Sequence, residues 1–134
     1  MVYTVCIGSN EHRHANLAFA RRRLSELFPD IRFAHEVDTQ PLSLNRKALF
    51  ANQVARFESC LDRLEVTGCL KDIEREAGST REERRMEVIR LDIDLLSCDN
   101  QKYKPADWDR EYVKEGIKEL LLNADAKESN KDSL

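Results

Sequence analysis

The sequence predicts an α+β domain: the order β-α-β-β-α-β, then a C-terminal helix, with an antiparallel sheet that carries helices on one face. Two observations predict it. Short runs that alternate with period two, or are rich in β-branched and aromatic residues, trade places with longer runs whose apolar residues recur at i, i+3/i+4 and i+7. The chain of 134 residues also fits one domain of ordinary size, large enough to bury a core without staples.

Residues 2–7, VYTVCI, read as the first strand, closed by Gly8-Ser9-Asn10. A helix follows from about Arg13 to Phe28, with Leu17, Ala20 or Arg21, Leu24 and Leu27 with Phe28 as its stripe; Pro29-Asp30 ends it. Arg21, Arg22 and Arg23 within it read as a solvated face. Residues 31–37, IRFAHEV, alternate and read as a second strand. Residues 39–49, TQPLSLNRKAL, lack periodicity, and a loop of that length in a compact domain is often functional. Residues 50–58, FANQVARFE, read as a third strand. Phe50, Asn52, Val54 and Arg56 share one face; Ala51, Gln53, Ala55 and Phe57 share the other.

A second helix is expected from Leu61 to Ala77, with Val66, Cys69 or Leu70, Ile73 and Ala77 as its stripe and Gly78 as its stop. Gly68 weakens it by about 1 kcal/mol relative to Ala. Residues 79–87, STREERRME, form a charged connection. Lys104-Pro105 marks a break. Asp107 is the expected cap of a last helix whose face holds Trp108, Tyr112 or Val113, Ile117, and Leu120 or Leu121. The domain is expected to span 1–122. Residues 123–134 lack large apolar residues except the final Leu and are expected to be a disordered tail.

Between these lies RLDIDLL, residues 90–96. On a strand Leu91, Ile93 and Leu95 share one face, and Asp92 and Asp94 share the other, about 6–7 Å apart. Two like charges so placed repel unless a cation relieves them. Carboxylates are hard oxygen ligands that suit Mg²⁺ or Ca²⁺, and Mg²⁺ usually takes one or two of them plus substrate phosphates. The same spacing also suits a solvated face paired to Lys or Arg. The element order fits the ferredoxin-like split-βαβ arrangement. If the apolar trio faces the helices, the two aspartates face an open side of the sheet.

Composition narrows the classes. A net charge of −3 gives no basic footprint for nucleic acid. The four cysteines are scattered without a C-x-x-C pair, which argues against a zinc site. The start has no signal-peptide pattern, and no apolar run approaches the roughly 20 residues that span a bilayer. The expectation is a cytoplasmic chain with reduced thiols, no nucleic acid and no membrane. Nothing in the sequence sets the oligomeric state.

Four separated pieces coincide in order: Gly8-Ser9-Asn10 after the first strand, Thr39-Gln40-Pro41-Leu42, Phe50-Ala51-Asn52, and Ile73-Glu74 with Gly78 leading to Leu91-Asp92-Ile93-Asp94. Over about residues 1–98 the chain resembles 6-hydroxymethyl-7,8-dihydropterin pyrophosphokinase, an enzyme of folate synthesis. The resemblance implies transfer of the pyrophosphoryl group of ATP to the hydroxymethyl oxygen of a reduced pterin. It implies two Mg²⁺ ions held by Asp92 and Asp94, a two-metal clamp on an in-line displacement. It implies Phe50 as a stacking platform and Asn52 as a partner for the pterin edge, with Thr39 and Leu42 contacting the same ring. Lys71 and Glu74 fall where the family's second helix meets ATP; three apart on a helix, they face the same way. Residue types alone suit other roles: a core aromatic for Phe50, a ladder residue for Asn52, a surface ion pair for Lys71 and Glu74.

The chain departs from the family at groups that neutralise phosphate. Ser79 stands where an Arg usually follows the glycine, Ile89 where an Arg precedes the first aspartate, Met86 where the loop has Trp, and Ala106 where a His follows Pro. A further stacking aromatic from the C-terminal part has no clear equivalent. Arg81, Arg84, Arg85 and Arg90 are the nearby substitutes, since an Arg fork binds phosphate bidentately; they are equally suited to pairing with Glu82, Glu83 and Glu87. The alternatives to an active enzyme are a non-catalytic relative binding a pterin, nucleotide or protein, and an unrelated module of the same fold. An RNA reader among the latter would want aromatics on the open face, where the two aspartates would repel phosphate.

Overall fold

The computed structural model describes residues 1–42 and 44–132, with side chains through 123. Its strands are β1 (Val2–Ser9), β2 (Arg32–Phe33), β3 (Val37–Thr39), β4 (Phe50–Glu58), β5 (Asp92–Cys98) and β6 (Gln101–Lys102). Its helices are α1 (Arg13–Leu27), α2 (Arg63–Glu76), α3 (Arg81–Arg85), α4 (Pro105–Trp108) and α5 (Glu111–Asp132). The strands form one sheet in the order β2-β4-β1-β5-β6, with β3 also on β4, and the pairings are antiparallel. This is the α+β architecture that the element order predicts.

Alternation on β1 sends Tyr3, Val5 and Ile7 under α1 and α2, where they are fully buried with Leu17, Leu24, Val66, Leu70 and Ile73. Each such side chain contributes about 1.5–3 kcal/mol on burial. Phe57 stacks on both Tyr3 and Phe28, with ring centroids 5.4 and 4.0 Å apart. Leu91 and Ile93 join this core and Leu95 packs against it, as their spacing predicts.

The differences from expectation have local causes. Helix α2 starts at Arg63 rather than Leu61 because Asp62 caps it: Glu65 N donates to Asp62 Oδ1 at 2.9 Å, and Asp62 N donates back to Glu65 Oε1 at 3.2 Å. Gly78 ends it at φ 91°, the left-handed backbone that a glycine adopts freely. Residues 31–37 are not one strand. Phe33 opposes Ala55 and Val37 opposes Asn52, four steps against three, so one extra residue bulges out between β2 and β3. The connection 79–87 holds the short helix α3, capped by Thr80, whose Oγ1 accepts from Glu83 N at 3.1 Å. Asp107 is not the cap of the last helix. Pro105 opens α4 behind Lys104, and α5 follows.

The face opposite α1 and α2 is not wholly open. Helix α5 lies on it, packing Val113 and Leu120 among Ala34, Val54 and Leu96. Gly116 permits this approach, since a Cβ there would stand 3.0 Å from Val54 Cβ and Cγ2. Alternation puts Leu96 on this face with Asp92 and Asp94, and the register shift between Thr4 and Val5 then turns Cys98 back to the first core beside Tyr3. Helical backbone continues through Asp132; the end of the expected tail, residues 133–134, lies outside the described residues. Among the described residues no helix is long and apolar enough to cross a membrane.

Candidate active site

The part of that face left open by α5 is a cavity of about 280 Å³. Its floor follows from strand register. Gly8 opposes Asn52 on one side and Asp92 on the other, while Cys6 opposes Val54 and Asp94. With strands about 4.7–4.9 Å apart, the Asn52–Gly8–Asp92 row places Asn52 and Asp92 about 9–10 Å apart across a residue without a side chain. A Cβ on Gly8 would sit 3.4 Å from Asn52 Oδ1, so the glycine keeps this row flat. Phe50, Leu42, Gln40 and Leu44 line one side of the cavity; Asp107, Arg110 and Tyr112, from the segment around α4 and α5, line another.

The loop over the floor is tied down. Arg46 Nη2 donates to Glu11 Oε2 at 2.6 Å and Nη1 to Asn10 Oδ1 at 3.0 Å. The amides of Asn45 and Arg46 donate to the Glu87 carboxylate at 3.1 and 2.6 Å, which lowers its pKa. Asn10 closes the triangle: its Nδ2 donates to Glu87 O at 2.8 Å and its Oδ1 accepts from Ile89 N at 2.7 Å. Three loops are thereby joined at the rim.

The expected pterin-side residues converge. Phe50, Asn52 and Leu42 line the cavity. Thr39 does not; its Oγ1 accepts from Asn52 Nδ2 at 2.7 Å. That bond occupies the amide nitrogen and leaves Asn52 Oδ1 beside Gly8, free to accept from a ligand N–H.

The two aspartates line the same cavity. Burial, reinforced by the facing Asp92, pushes the Asp94 carboxyl up to about 7. A loose cation stands by each: Lys104 Nζ is 3.5 Å from Asp94 Oδ1, and Arg84 Nη1 is 3.6 Å from Asp92 Oδ1. Among the described residues no cluster of three or more His, Cys, Asp and Glu is arranged to hold a metal by itself. Two carboxylates do fit Mg²⁺ that completes its shell with water and substrate phosphate, and their mutual repulsion is what such a cation relieves.

A shallower groove beside them is lined by Lys71, Glu74, Arg75, Ser79, Thr80, Arg81 and Arg84. Lys71 pairs with Glu74 at 3.3 Å, but Glu74 is buried rather than a surface residue. Its Oε2 accepts from Ile93 N, and burial raises its pKa against the pull of that bond. Arg84 reaches from the groove to the cavity, with Nη2 donating to Leu91 O at 3.2 Å. Ser79 Oγ donates to the same carbonyl at 3.2 Å. Arg85 and Arg90 line neither depression; Arg90 Nε is held by the Glu83 carboxylate at 2.7 and 3.0 Å.

The model of the family 7,8-dihydro-6-hydroxymethylpterin-pyrophosphokinase matches residues 4–122. The chain belongs to this family. No curated protein sequence matches it. The pyrophosphokinase family performs pyrophosphoryl transfer in folate biosynthesis, using ATP, Mg²⁺ and a pterin substrate. Its match extends past residue 98, where the resemblance of the motifs stops, and takes in Tyr112. Helical spacing reads Tyr112 only as one face of the last helix. In the structure it is an aromatic wall of the cavity that also holds Phe50, with Arg110 Nη1 donating to its hydroxyl at 3.2 Å. Asp107 and Arg110 have no local signal that would mark them as cavity residues, whereas Gln40 lies within the Thr39-Gln40-Pro41-Leu42 piece.

Proposed function

We propose that this chain transfers the pyrophosphoryl group of ATP to the hydroxymethyl oxygen of 6-hydroxymethyl-7,8-dihydropterin, leaving AMP. The observation that carries the proposal is the convergence of Asp92 and Asp94 with Asn52, Phe50 and Tyr112 around one glycine-floored cavity. In this reading the flat pterin lies over Gly8, with Asn52 Oδ1 accepting from a ring N–H. Phe50 and Tyr112 offer aromatic surface to the ring. Leu42 closes over it, and Thr39 holds the Asn52 amide in register.

Asp92 and Asp94 would hold two Mg²⁺. Bound there, the metal supplies charge stabilisation to the attacking and leaving oxygens. The groove lined by Lys71, Glu74, Arg81 and Arg84 takes the nucleotide. Arg84 neutralises phosphate, since it already reaches Asp92, while Arg81 lies further along the same groove. Glu74 is a positioning residue that braces the strand carrying both aspartates. Such transfer needs mainly positioning and charge neutralisation, so the chain does not require a nucleophile of its own.

A non-catalytic relative that binds pterin or nucleotide is the second reading. It is favoured by Ser79 and Ile89 standing at arginine positions of the family and by Arg90 being engaged with Glu83. Incubation with Mg·ATP and the dihydropterin separates the two. Pterin-dependent AMP, lost in Asp92→Ala and Asp94→Ala, is expected. Folded protein that binds both ligands and forms no AMP would leave the second reading.

A further inference from the structure

Lys104 has no part in the mechanism above, although its Nζ stands 3.5 Å from Asp94 Oδ1. That separation is longer than the roughly 2.7–2.9 Å of a charge-assisted hydrogen bond, so the pair is loose. Among the described residues, Asp92 and Asp107 are acids that act on Asp94 and Lys104 is a cation that opposes them. The other aspartate is balanced from the opposite side by Arg84 of α3.

The backbone that carries Lys104 is well anchored. Tyr103 N donates to Leu96 O at 2.8 Å, and Asp107 N donates to Lys104 O at 2.9 Å. Trp108 Nε1 donates to Tyr103 O at 2.8 Å. Residue 104 itself is left-handed, at φ 53° and ψ 65°, immediately before Pro105. From this fixed point a half-exposed, flexible four-carbon stem reaches over the carboxylate. An ammonium and a divalent cation compete for the same Asp94 oxygens. Were those oxygens given to a metal, the ammonium would be released on the side where a polyphosphate would lie.

We propose that Lys104 is an exchangeable counterion: it neutralises Asp94 in the metal-free protein, yields those oxygens to Mg²⁺, and turns onto the polyphosphate of the bound nucleotide. The proposal rests on the reading of Asp92 and Asp94 as metal ligands. It supplies a phosphate-neutralising cation from the segment after β5, where Ala106 follows Pro105 in place of the family's His, and so complements Arg84.

Two binding measurements on the full chain test it: Mn²⁺ alone, followed by the paramagnetic signal of the free ion, and Mg²⁺ with α,β-methylene-ATP, followed by calorimetry. Lys104→Met is expected to bind Mn²⁺ about two- to five-fold tighter, because an ion pair of ordinary surface strength no longer competes. It is expected to bind the nucleotide about ten-fold more weakly, for loss of one charged contact. Lys104→Arg is expected to stay near wild type in both. A lysine with a merely structural role would move both affinities the same way or neither. Mn²⁺ binding that is unchanged or weaker in Lys104→Met overturns the proposal, and so does unchanged nucleotide binding. If Asp94→Asn still binds Mn²⁺ like wild type, the metal-ligand reading fails, and the proposal with it.

Discussion

The amide of Ile93 donates a 2.8 Å hydrogen bond to Oε2 of Glu74, so a helix carboxylate grips the strand between its two aspartates. Over this stretch β5 pairs with β1 on one side, and β6 reaches only Ser97 and Cys98 on the other. Glu74 therefore satisfies a buried edge amide that no strand covers among the described residues. Glu74→Ala leaves that donor unpaired and is expected to cost about 1–3 kcal/mol. Glu74→Gln keeps an acceptor oxygen and is expected to retain most of that stability. Urea unfolding of the two variants checks the order; equal losses would show that the hydrogen bond is not what matters.

Asp94 gives the metal-free protein a pH dependence of definite sign. Its folded carboxyl titrates near 7 because burial and Asp92 favour the protonated form, whereas an unfolded Asp titrates near 3.9. Between those values the folded state binds the extra proton, so this group's contribution to stability falls as pH rises from about 4 to 7. Asp94→Asn should flatten that dependence and stabilise the metal-free protein at pH 8. Melting temperatures in chelator at pH 5 and pH 8 read the effect directly.

Two glycines should respond oppositely to alanine. Gly68 lies in α2 with nothing within 4 Å of an added Cβ, so Gly68→Ala is expected to stabilise by about 0.5–1 kcal/mol through helix propensity. At Gly116 the new Cβ would meet Val54 Cβ and Cγ2 at 3.0 Å. Gly116→Ala is expected to lose about 1–3 kcal/mol despite the same propensity gain. Denaturation midpoints of the pair decide it, and a stable Gly116→Ala would show that α5 can move away from the sheet.

Phe50→Ala removes an aromatic face from the cavity and leaves the adjoining groove intact. Stacking on an aromatic is worth about 1–3 kcal/mol per base, so pterin affinity should drop about ten- to a hundred-fold while Mg·ATP affinity changes little. Calorimetry with each ligand alone tests the split. Equal losses would assign Phe50 to packing instead.

What could be read in the chain was what local periodicity controls. Strand β4 matches its expected bounds, Phe50–Glu58, because its alternation is unbroken and its neighbours lie on both sides. The aspartate strand was legible from its alternation alone. The double strand at 32–39 was not, because its bulge answers to the register of β4, not to its own residues. Glu74 looked like a surface acid, since its partner, the Ile93 amide, lies far along the chain. Tyr112 looked like an ordinary helix-face aromatic because nothing local says that the helix crosses to the far side of the sheet. Arg46, Glu87 and Asn10 carry no motif; only folding brings their loops together.

The position of α5 also sets the order in which a growing chain acquires its chemistry. The cavity floor comes from β1, β4 and β5, but one wall comes from Asp107, Arg110 and Tyr112. Synthesis releases the N-terminal elements first. A nascent chain that has already gathered its aromatic core under α1 and α2 still has no complete site. A ligand stabilises only the species that binds it, so substrate protects finished molecules and gives unfinished ones no shelter from proteolysis.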